Sequence, residues 1–373
     1  MDFGLTQEQE QLKSGARDFL SHECPTSVVR KVMAEESGLA PELYQKIAEL
    51  GWTGMIVPEE FGGLGLGMLD LAILLEECGY AAMPGPFAFS SGIAVSALRL
   101  GGSPEQCRRW LPELASGKLT GTVAIVEEAD SLDPADINLS AARDNNGFVL
   151  NGVKMFVPYA HAADFIVVAA RSTPGPEGLD FFVVEGGATG LSARILRNVD
   201  QTRRVCEVKF DAVKVPEHAR LAKSAGLLDR LIDAGAVVMA ADCLGGAERA
   251  LEMAVEYSKV REQFGRPIGS FQALQHLAAE LIAAIEPARS LLWYAAYGQD
   301  AALEDASRAA SMAKARLSAV YSRTADQSVL MHGGIGFTWE HDIHLWFKRA
   351  RFDEPFFGDP VYHRDRVATL SGY

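Results

Sequence analysis

Residues 119–126 read LTGTVAIV, and they mark the point where helical periodicity gives way to strand-like sequence. Further short runs rich in Val, Ile and Phe follow at residues 148–150, 165–169, 181–184 and 205–210. Turn sequences such as Asn145-Asn146-Gly147 separate these runs. Short strands with turn residues at regular spacing predict a β-sandwich or barrel that ends near Pro216.

The sequence on both sides of this β-rich stretch is helical. Towards the N-terminus, Thr6 precedes an acidic first turn, and Leu12, Ala16 and Leu20 recur at helical spacing. This pattern predicts a helix capped by Thr6. Other N-terminal helices are predicted at residues 41–50, 69–79 and 105–114. Towards the C-terminus, long helices rich in Ala and Leu are predicted at residues 227–257, 271–299 and 305–332, with apolar faces wide enough for a bundle.

We therefore predict an α+β fold with three domains, which suits a chain of 373 residues. An N-terminal helical domain covers residues 1–118. A middle β-sandwich or barrel domain covers residues 119–222, and a C-terminal four-helix-bundle domain covers residues 223–373.

Composition excludes several classes of function. The net charge of −14 argues against a nucleic-acid-binding surface, which needs a positive field. The five cysteines are scattered and have no metal-binding spacing, so no metal site is predicted. The N-terminus lacks a signal pattern, and no uncharged apolar run approaches the roughly 20 residues that cross a bilayer. We therefore expect a cytoplasmic protein without a membrane partner.

Three motifs, in order along the chain, resemble the flavin-dependent acyl-CoA dehydrogenase family. The first comprises LGWTG at residues 50–54 and PEEFGG at residues 58–63. The second is YSKVREQFGRPI at residues 257–268, and the third is HGGIGFTWE at residues 332–340. The resemblance covers nearly the whole chain. It implies a helix–sandwich–helix fold, FAD, an acyl-CoA thioester substrate and tetrameric assembly.

The resemblance also implies a mechanism and a shared site. A carboxylate base removes the α-proton of the thioester while the β-hydride passes to the flavin, so the base must lie in a dry pocket. One chain holds the flavin ring and the substrate, and its neighbour holds the pyrophosphate and adenine. The family places its base at one of two positions, which correspond to Phe357 and Gly235 in this sequence.

The flavin-ring half departs from the family pattern. Val126 stands where a threonine hydroxyl serves the flavin, and Leu132 stands where a serine meets the substrate. Pro158 has no N–H to donate to the flavin, although Phe156 can still cover a ring. Neither Phe357 nor Gly235 can accept a proton, so no catalytic residue is assigned. The nearby carboxylates Asp229, Asp233, Asp353, Glu354 and Asp359 are interpreted as solvated or structural.

The nucleotide half follows the pattern more closely. Arg261 resembles the family's ligand of the FAD phosphates, and Gln263, Phe264 and Ile268 match positions beside the adenosine. Gly333 and Gly334 would let the backbone approach the cofactor, although Leu330 replaces a usual glutamine. The alternative interpretation is that the two glycines form an ordinary C-cap of the preceding helix.

These observations predict a subunit that has only one half of the site. Bacterial α2β2 acyl-CoA dehydrogenases act on bulky CoA thioesters in lipid or steroid catabolism, and the segments at residues 198–204 and 357–364 resemble their chains. The predicted partners are a homologous catalytic subunit and an electron acceptor such as electron-transfer flavoprotein. Two alternatives stay open: a self-sufficient homotetrameric enzyme with an unusual base, and a flavin-free protein that binds CoA esters or acts as a scaffold.

Overall fold

The computed structural model describes residues 4–373 and places a β-sheet region between two helical regions. This order confirms the predicted mixed α and β fold. Residues 1–3 of the predicted first domain lie outside the described residues. We keep residues 1–118, 119–222 and 223–373 as proposed domain boundaries, since the first strand begins at Gly121 and the first long C-terminal helix begins at Leu227.

The N-terminal region is helical, and its apolar faces share one core with the C-terminal region. Thr6 caps the first helix as predicted, because its hydroxyl accepts a hydrogen bond from the Gln9 N–H at 3.2 Å. In chain order the elements are α1 (Gln7–Glu23), α2 (Thr26–Ala34), α3 (Pro41–Glu49), α4 (Met68–Tyr80), a π-helical segment (Ala88–Ala94), α5 (Val95–Gly101) and α6 (Pro104–Ala115).

The middle region is a sheet with strand order β1-β4-β2-β3-β7-β6, and β5 pairs with β4. Strand β4 is buried on both faces: Phe165 and Val167 join the core shared with the helices, whereas Ile166 and Val168 join a second core on the other side. The strands are β1 (Gly121–Ala124), β2 (Ser140–Asp144), β3 (Gly147–Pro158), β4 (Phe165–Arg171), β5 (Leu179–Glu185), β6 (Leu191–Ile195) and β7 (Val205–Pro216).

The C-terminal region confirms the predicted bundle of long helices. Helices α7, α8 and α9 pack side by side, and α10 and α11 pack against α9. A two-stranded hairpin, β8–β9, connects α7 to α8. The elements are α7 (Leu227–Val260), β8 (Glu262–Gln263), β9 (Arg266–Pro267), α8 (Gln272–Asp300), α9 (Ala306–His332), α10 (Ile343–Asp353) and α11 (Pro360–Leu370). Among residues 4–373, no helix combines the length and apolar character that membrane crossing requires.

The three regions are held together by close backbone packing and by buried ion pairs. Helix α4 crosses α7 so closely that a Cβ at Gly245 would lie 1.7 Å from the Glu76 carbonyl oxygen. Arg203, on the connection between β6 and β7, pairs with Asp242 of α7 at 2.8 Å. Arg349 of α10 also pairs with Asp242, at 2.7 Å. The ion pairs of Asp242 hold α10 and the connection between β6 and β7 against α7.

Candidate active site

A cleft of about 500 Å³ lies between the sheet and the loop that connects α10 to α11. Its walls are mainly apolar, as a site that excludes water requires. The end of β1, the connection after it, the middle of β3 and the α10–α11 loop each contribute to the lining. Residues from these elements that line the cleft include Val126, Leu132, Phe156, Phe356, Phe357 and Asp359.

The structure brings together most of the residues predicted on the flavin-ring side. Val126 and Leu132 both line the cleft, and neither side chain carries a hydrogen-bonding group. A register shift in β3 between Lys154 and Val157 places Phe156 in a left-handed conformation, with φ of +54°, at the cleft wall. Pro158 is buried at the end of β3 and does not line the cleft, although Val205, its partner on β7, does.

The two base positions of the family meet at one place in space. A Cβ built on Gly235 would lie 2.3 Å from Cδ1 of the Phe357 ring. Phe357 has a φ of +58°, and its ring packs edge-on against Phe356 at a centroid distance of 5.4 Å. The Phe357 ring therefore occupies the volume that a side chain on residue 235 would need. A carboxylate on residue 235 would therefore require the Phe357 ring to move, and Phe357 itself carries no carboxylate.

The carboxylates considered near the base positions have structural partners. Asp233 is nearly buried and pairs with Arg366 at 2.5 Å, and it accepts a hydrogen bond from Ser307. Asp359 caps α11 by accepting a hydrogen bond from the Tyr362 N–H at 2.7 Å. Glu354 accepts a hydrogen bond from Ser322 at 2.6 Å. Each of these carboxylates is thus committed to a contact within the fold.

Asp353 is fully enclosed behind the cleft wall, beside Asp242. Burial and the neighbouring Asp242 carboxylate raise the pKa of Asp353 well above its usual range. Burial alone would also raise the pKa of Asp242, but Arg203 and Arg349 lower it. The Asp242 carboxylate is thus the more acidic of the pair, and Asp353 lies outside the cleft lining.

Asp130 is one functional candidate that the sequence did not single out. Asp130 lines the cleft with Asp359, and burial and the Asp359 carboxylate raise its pKa. Its backbone has a φ of +50°, which places it in a tight turn after β1. The sequence feature that could have pointed to Asp130 is its position, two residues before Leu132 in the loop that differs from the family pattern.

Arg261 and the β8–β9 hairpin project from the C-terminal end of α7. Arg261 caps the helix, and its side chain forms no hydrogen bond or ion pair with any residue in the described part of the chain. At the hairpin tip, Phe264 has a φ of +53° and is 92% exposed. Gln263 is also exposed. Ile268 is partly buried, and its N–H donates a hydrogen bond to the Arg261 carbonyl at 2.8 Å. The hairpin thus presents the predicted nucleotide-side residues to solvent.

The Gly333-Gly334 turn begins where α9 ends. Gly333 has φ and ψ of 64° and −142°, which a residue with a side chain rarely adopts. A Cβ on Gly334 would meet nothing within 4 Å, so packing inside the described chain does not require glycine there. The ring of Tyr257 stacks on His332 at 4.7 Å, so the turn begins close to the end of α7 that carries Arg261.

The nucleotide-side residues and the cleft lie at opposite ends of α7. Gly235 faces the cleft, and Arg261 follows 26 residues later along the same helix. At a rise of 1.5 Å per residue these positions are about 39 Å apart. Within the described chain, none of the predicted nucleotide-side residues lines the cleft. The two halves therefore cannot form one site within a single chain.

Comparison with known proteins identifies the class of protein that this fold and site define. The acyl-CoA dehydrogenase family models match in order: the N-terminal domain at residues 6–118, the middle domain at residues 122–213 and the C-terminal domain at residues 227–370. The chain belongs to the acyl-CoA dehydrogenase family, whose cofactor is FAD.

Particular relatives resemble the whole chain. It is 32% identical to acyl-CoA dehydrogenase IpdE2 of Mycolicibacterium smegmatis, over 95% of this chain and 96% of that protein. It superimposes on a chain of the ChsE4–ChsE5 complex from Mycobacterium tuberculosis with a TM-score of 0.92 and 27% identity, over all of both chains. It superimposes on a chain of the Tcur3481–Tcur3483 steroid ACAD with a TM-score of 0.89 and 31% identity, over 98% of each chain.

Proposed function

We propose that this chain is the subunit of a heteromeric acyl-CoA dehydrogenase that contributes the nucleotide half-site to a homologous catalytic subunit. The observation that carries the proposal is the contact between Phe357 and Gly235, which fills both base positions with one aromatic ring. The complex would catalyse α,β-dehydrogenation of an acyl-CoA thioester in the cytoplasm. The partner would supply the carboxylate base, the contacts to the flavin ring and the acyl pocket.

The residues on the nucleotide side fit the adenosine and pyrophosphate part of FAD. Arg261 has a planar guanidinium that suits paired phosphate oxygens, and in the described chain it has no competing partner. The open space above Gly334 leaves room for a phosphate to approach the backbone. The exposed Phe264 ring offers an apolar face beside the adenosine. FAD would supply the hydride acceptor, and the residues of this chain would orient and retain it.

The flavin-ring side of the same chain does not fit the cofactor. Val126 and Leu132 offer no donor or acceptor to the flavin ring or to a thioester carbonyl. Aromatic rings pack along one wall of the cleft: Phe356 stacks on Phe352 at a centroid distance of 4.9 Å, and Phe89 packs edge-on against Phe356 at 5.5 Å. Because the nucleotide side of this chain fits FAD and its flavin-ring side does not, a different chain must supply the flavin-ring side of each site.

The surface around the nucleotide half also supports a partner subunit. Large apolar side chains near the Gly333-Gly334 turn are exposed, including Leu330, Phe337 and Trp339. Contiguous exposed apolar residues mark interaction surfaces. Two of the structures that resemble this chain are described as pairs of chains, ChsE4–ChsE5 and Tcur3481–Tcur3483. The Tcur3481–Tcur3483 protein is a steroid ACAD, which favours a steroid or comparably bulky acyl group as the substrate class. The electron acceptor would be an electron-transfer flavoprotein.

The test is to express this chain with the acyl-CoA dehydrogenase encoded beside it and to measure bound flavin. We expect a heterotetramer that contains about one flavin for every two chains, because only one kind of interface has both halves. This chain purified alone should be colourless. A yellow homo-oligomer with one FAD per chain, active on acyl-CoA, would contradict the proposal.

Asp130 supports a second candidate function, a self-sufficient enzyme with an unusual base. It is an exposed residue at the cleft lining, and burial of its carboxyl and the Asp359 carboxylate raise its pKa, which is the direction that suits a general base. Under this alternative, Asp130→Asn would abolish acyl-CoA oxidation by the isolated chain while flavin stays bound. Under our main proposal the isolated chain has no such activity, and Asp130→Asn leaves the activity of the complex within about tenfold of the wild type.

A further inference from the structure

Three aromatic rings beneath the nucleotide half-site connect its two phosphate-binding segments. Tyr257 of α7 lies four residues before Arg261, and His332 of α9 immediately precedes Gly333. Their rings stack at a centroid distance of 4.7 Å and an interplanar angle of 27°. The His341 ring, just before α10, lies 4.3 Å from His332 and 6.2 Å from Tyr257. The ends of two long helices and the start of a third therefore meet in one cluster.

His332 is the central member of this cluster. It is only 3% exposed, its Nδ1–H donates to the Ser328 carbonyl at 2.7 Å, and its Nε2 is enclosed without a hydrogen-bond partner in residues 4–373. Burial and the nearby His341 lower the pKa of His332. The ring is therefore neutral and packs as an aromatic side chain. An apolar aromatic ring of similar size should be able to replace it.

The two segments that leave the cluster have little support of their own. The Gly333-Gly334 turn has no side chain to anchor it, and a Cβ on either residue would meet nothing within 4 Å. Arg261 emerges at the last turn of α7 and is exposed. Contacts to one pyrophosphate require both segments to be held at a fixed separation, since small misplacements of binding groups weaken their joint contribution.

We infer that His332 is a positioning residue, which fixes the Gly333-Gly334 turn relative to Arg261 by packing between Tyr257 and His341. This inference rests on the proposed function, because it concerns how the half-site meets FAD. The role belongs to the stacked ring and not to a chemical step. It predicts that loss of the ring weakens FAD retention, whereas a phenylalanine at the same position restores it.

The experiment measures FAD dissociation from the complex of this chain with its catalytic partner, by recovery of flavin fluorescence after dilution. The variants are His332→Ala, His332→Phe, Arg261→Ala and, as a control, His218→Ala, which changes an exposed histidine remote from the half-site. We expect His332→Ala to release FAD at least about tenfold faster than the wild type. His332→Phe and His218→Ala should stay within about twofold of it.

A second measurement needs no cofactor. Amide hydrogen exchange in the isolated chain should accelerate in His332→Ala at both residues 261–268 and residues 333–337, and His332→Phe should restore protection at both. Acceleration confined to residues 333–337 would overturn the inference. So would unchanged FAD release in His332→Ala, or a phenylalanine variant as defective as the alanine variant.

The Arg261→Ala variant shows whether a negative result refutes only the inference about His332 or also the proposed function. If Arg261→Ala leaves FAD retention unchanged, the half-site itself is wrong, whatever His332 does. If Arg261→Ala releases FAD and His332→Ala does not, only the positioning role of His332 is refuted. If His332→Ala does not fold, the phenylalanine variant still tests the inference, because it must retain FAD as the wild type does.

Discussion

The contact between Gly235 and Phe357 gives a quantitative test of the claim that both base positions are occupied. In Gly235→Ala, the new methyl would lie 2.3, 2.5 and 2.7 Å from three atoms of the Phe357 ring, whereas carbon atoms in ordinary contact are about 3.5–4.0 Å apart. Overpacking of this kind costs about 1–3 kcal/mol. The higher helix propensity of alanine offsets about 1 kcal/mol of that cost, so we expect a net loss of about 0–2 kcal/mol.

A double-mutant cycle isolates the contact. With Phe357→Ala the ring is absent, so adding Gly235→Ala should stabilise the protein by up to about 1 kcal/mol through helix propensity alone. The free-energy difference between the two backgrounds, about 1–3 kcal/mol, is the coupling between residues 235 and 357. Gly15→Ala is a matched control, because Gly15 lies inside α1 and its Cβ would meet nothing within 4 Å.

The assay is urea unfolding of the four proteins of the cycle and of the control, followed by far-ultraviolet circular dichroism. Gly15→Ala should raise the free energy of unfolding by up to about 1 kcal/mol. Additivity of Gly235→Ala and Phe357→Ala within about 0.5 kcal/mol would mean that the ring does not fill the space above residue 235. In that case the base site would be open, and the proposed loss of catalytic capacity would lose its main support.

Three further predictions concern the cofactor, the acids and pH. Arg261→Ala should weaken FAD retention by about 1.5–3 kcal/mol, the usual range for hydrogen bonds to charged groups, as measured by equilibrium dialysis of the complex; unchanged retention would exclude Arg261 as a phosphate ligand. Single amide substitutions of four carboxylates should each lower the rate of the complex by less than about tenfold, and a loss of three orders of magnitude with flavin bound would place the base in this chain. These four are Asp233, Asp353, Glu354 and Asp359. Burial lowers the pKa of His363, whose imidazole bonds the Phe357 carbonyl at 2.8 Å, to about 4. As the pH falls, His363 therefore binds a proton in the unfolded chain before it does so in the folded chain. The neutral, buried His363 contributes fully to stability above pH 6.5, and this contribution should fall by up to about 3 kcal/mol as the pH drops towards 4. His363→Gln should remove that part of the pH dependence of the free energy of unfolding in urea. If this free energy changes with pH as steeply in the variant as in the wild type, the prediction is refuted.

The sequence predicted many of the elements whose burial pattern is strong, but it missed the buried π-helical segment and α5 at residues 88–101. The predicted strand at residues 165–169 is apolar at every position because β4 has a core on each face. Strands β2 and β6 were missed, because most of their residues are exposed or only partly buried and their sequences lack a run of Val, Ile or Phe. Helices α10 and α11 were also missed, since their charged residues interrupt the apolar periodicity.

Individual residues of the candidate site could be predicted from the sequence, but the contacts between them could not. Motif resemblance identified Phe357 and Gly235 separately as the two base positions, and it gave no reason to expect them to touch. That contact depends on where the α10–α11 loop crosses α7, which is set by packing between residues distant in the sequence. The same holds for Tyr257 and His332, whose stack brings the ends of α7 and α9 together. Sequence patterns report local periodicity, whereas these pairs depend on tertiary geometry.

Two of the three phenylalanines in left-handed backbone conformations within residues 4–373, Phe264 and Phe357, distinguish the two halves of the site. Such a conformation costs of the order of 1–3 kcal/mol, so the surrounding structure must offset it. For Phe357 the offset lies within the chain, because its ring packs on Gly235 and Phe356. Phe264 has nearly the same φ, but it is 92% exposed, and its one aromatic neighbour in the described chain is Phe271 at 6.0 Å.

The backbone conformation of Phe264 is explained within the chain, because Phe264 and Gly265, with φ of +53° and +79°, form the two-residue turn that joins β8 to β9. The exposed Phe264 ring is the part that contacts outside this chain would cover. A partner subunit with FAD bound against the hairpin would bury the Phe264 ring and gain apolar contact there, about 1.5–3 kcal/mol for a fully buried phenylalanine. A self-sufficient enzyme would also bury Phe264 between identical chains, but it would then need an open base site, and Phe357 occupies that site. Under the proposed function, Phe357 would close the catalytic half of this chain, and Phe264 would contact a cofactor whose flavin ring another chain holds.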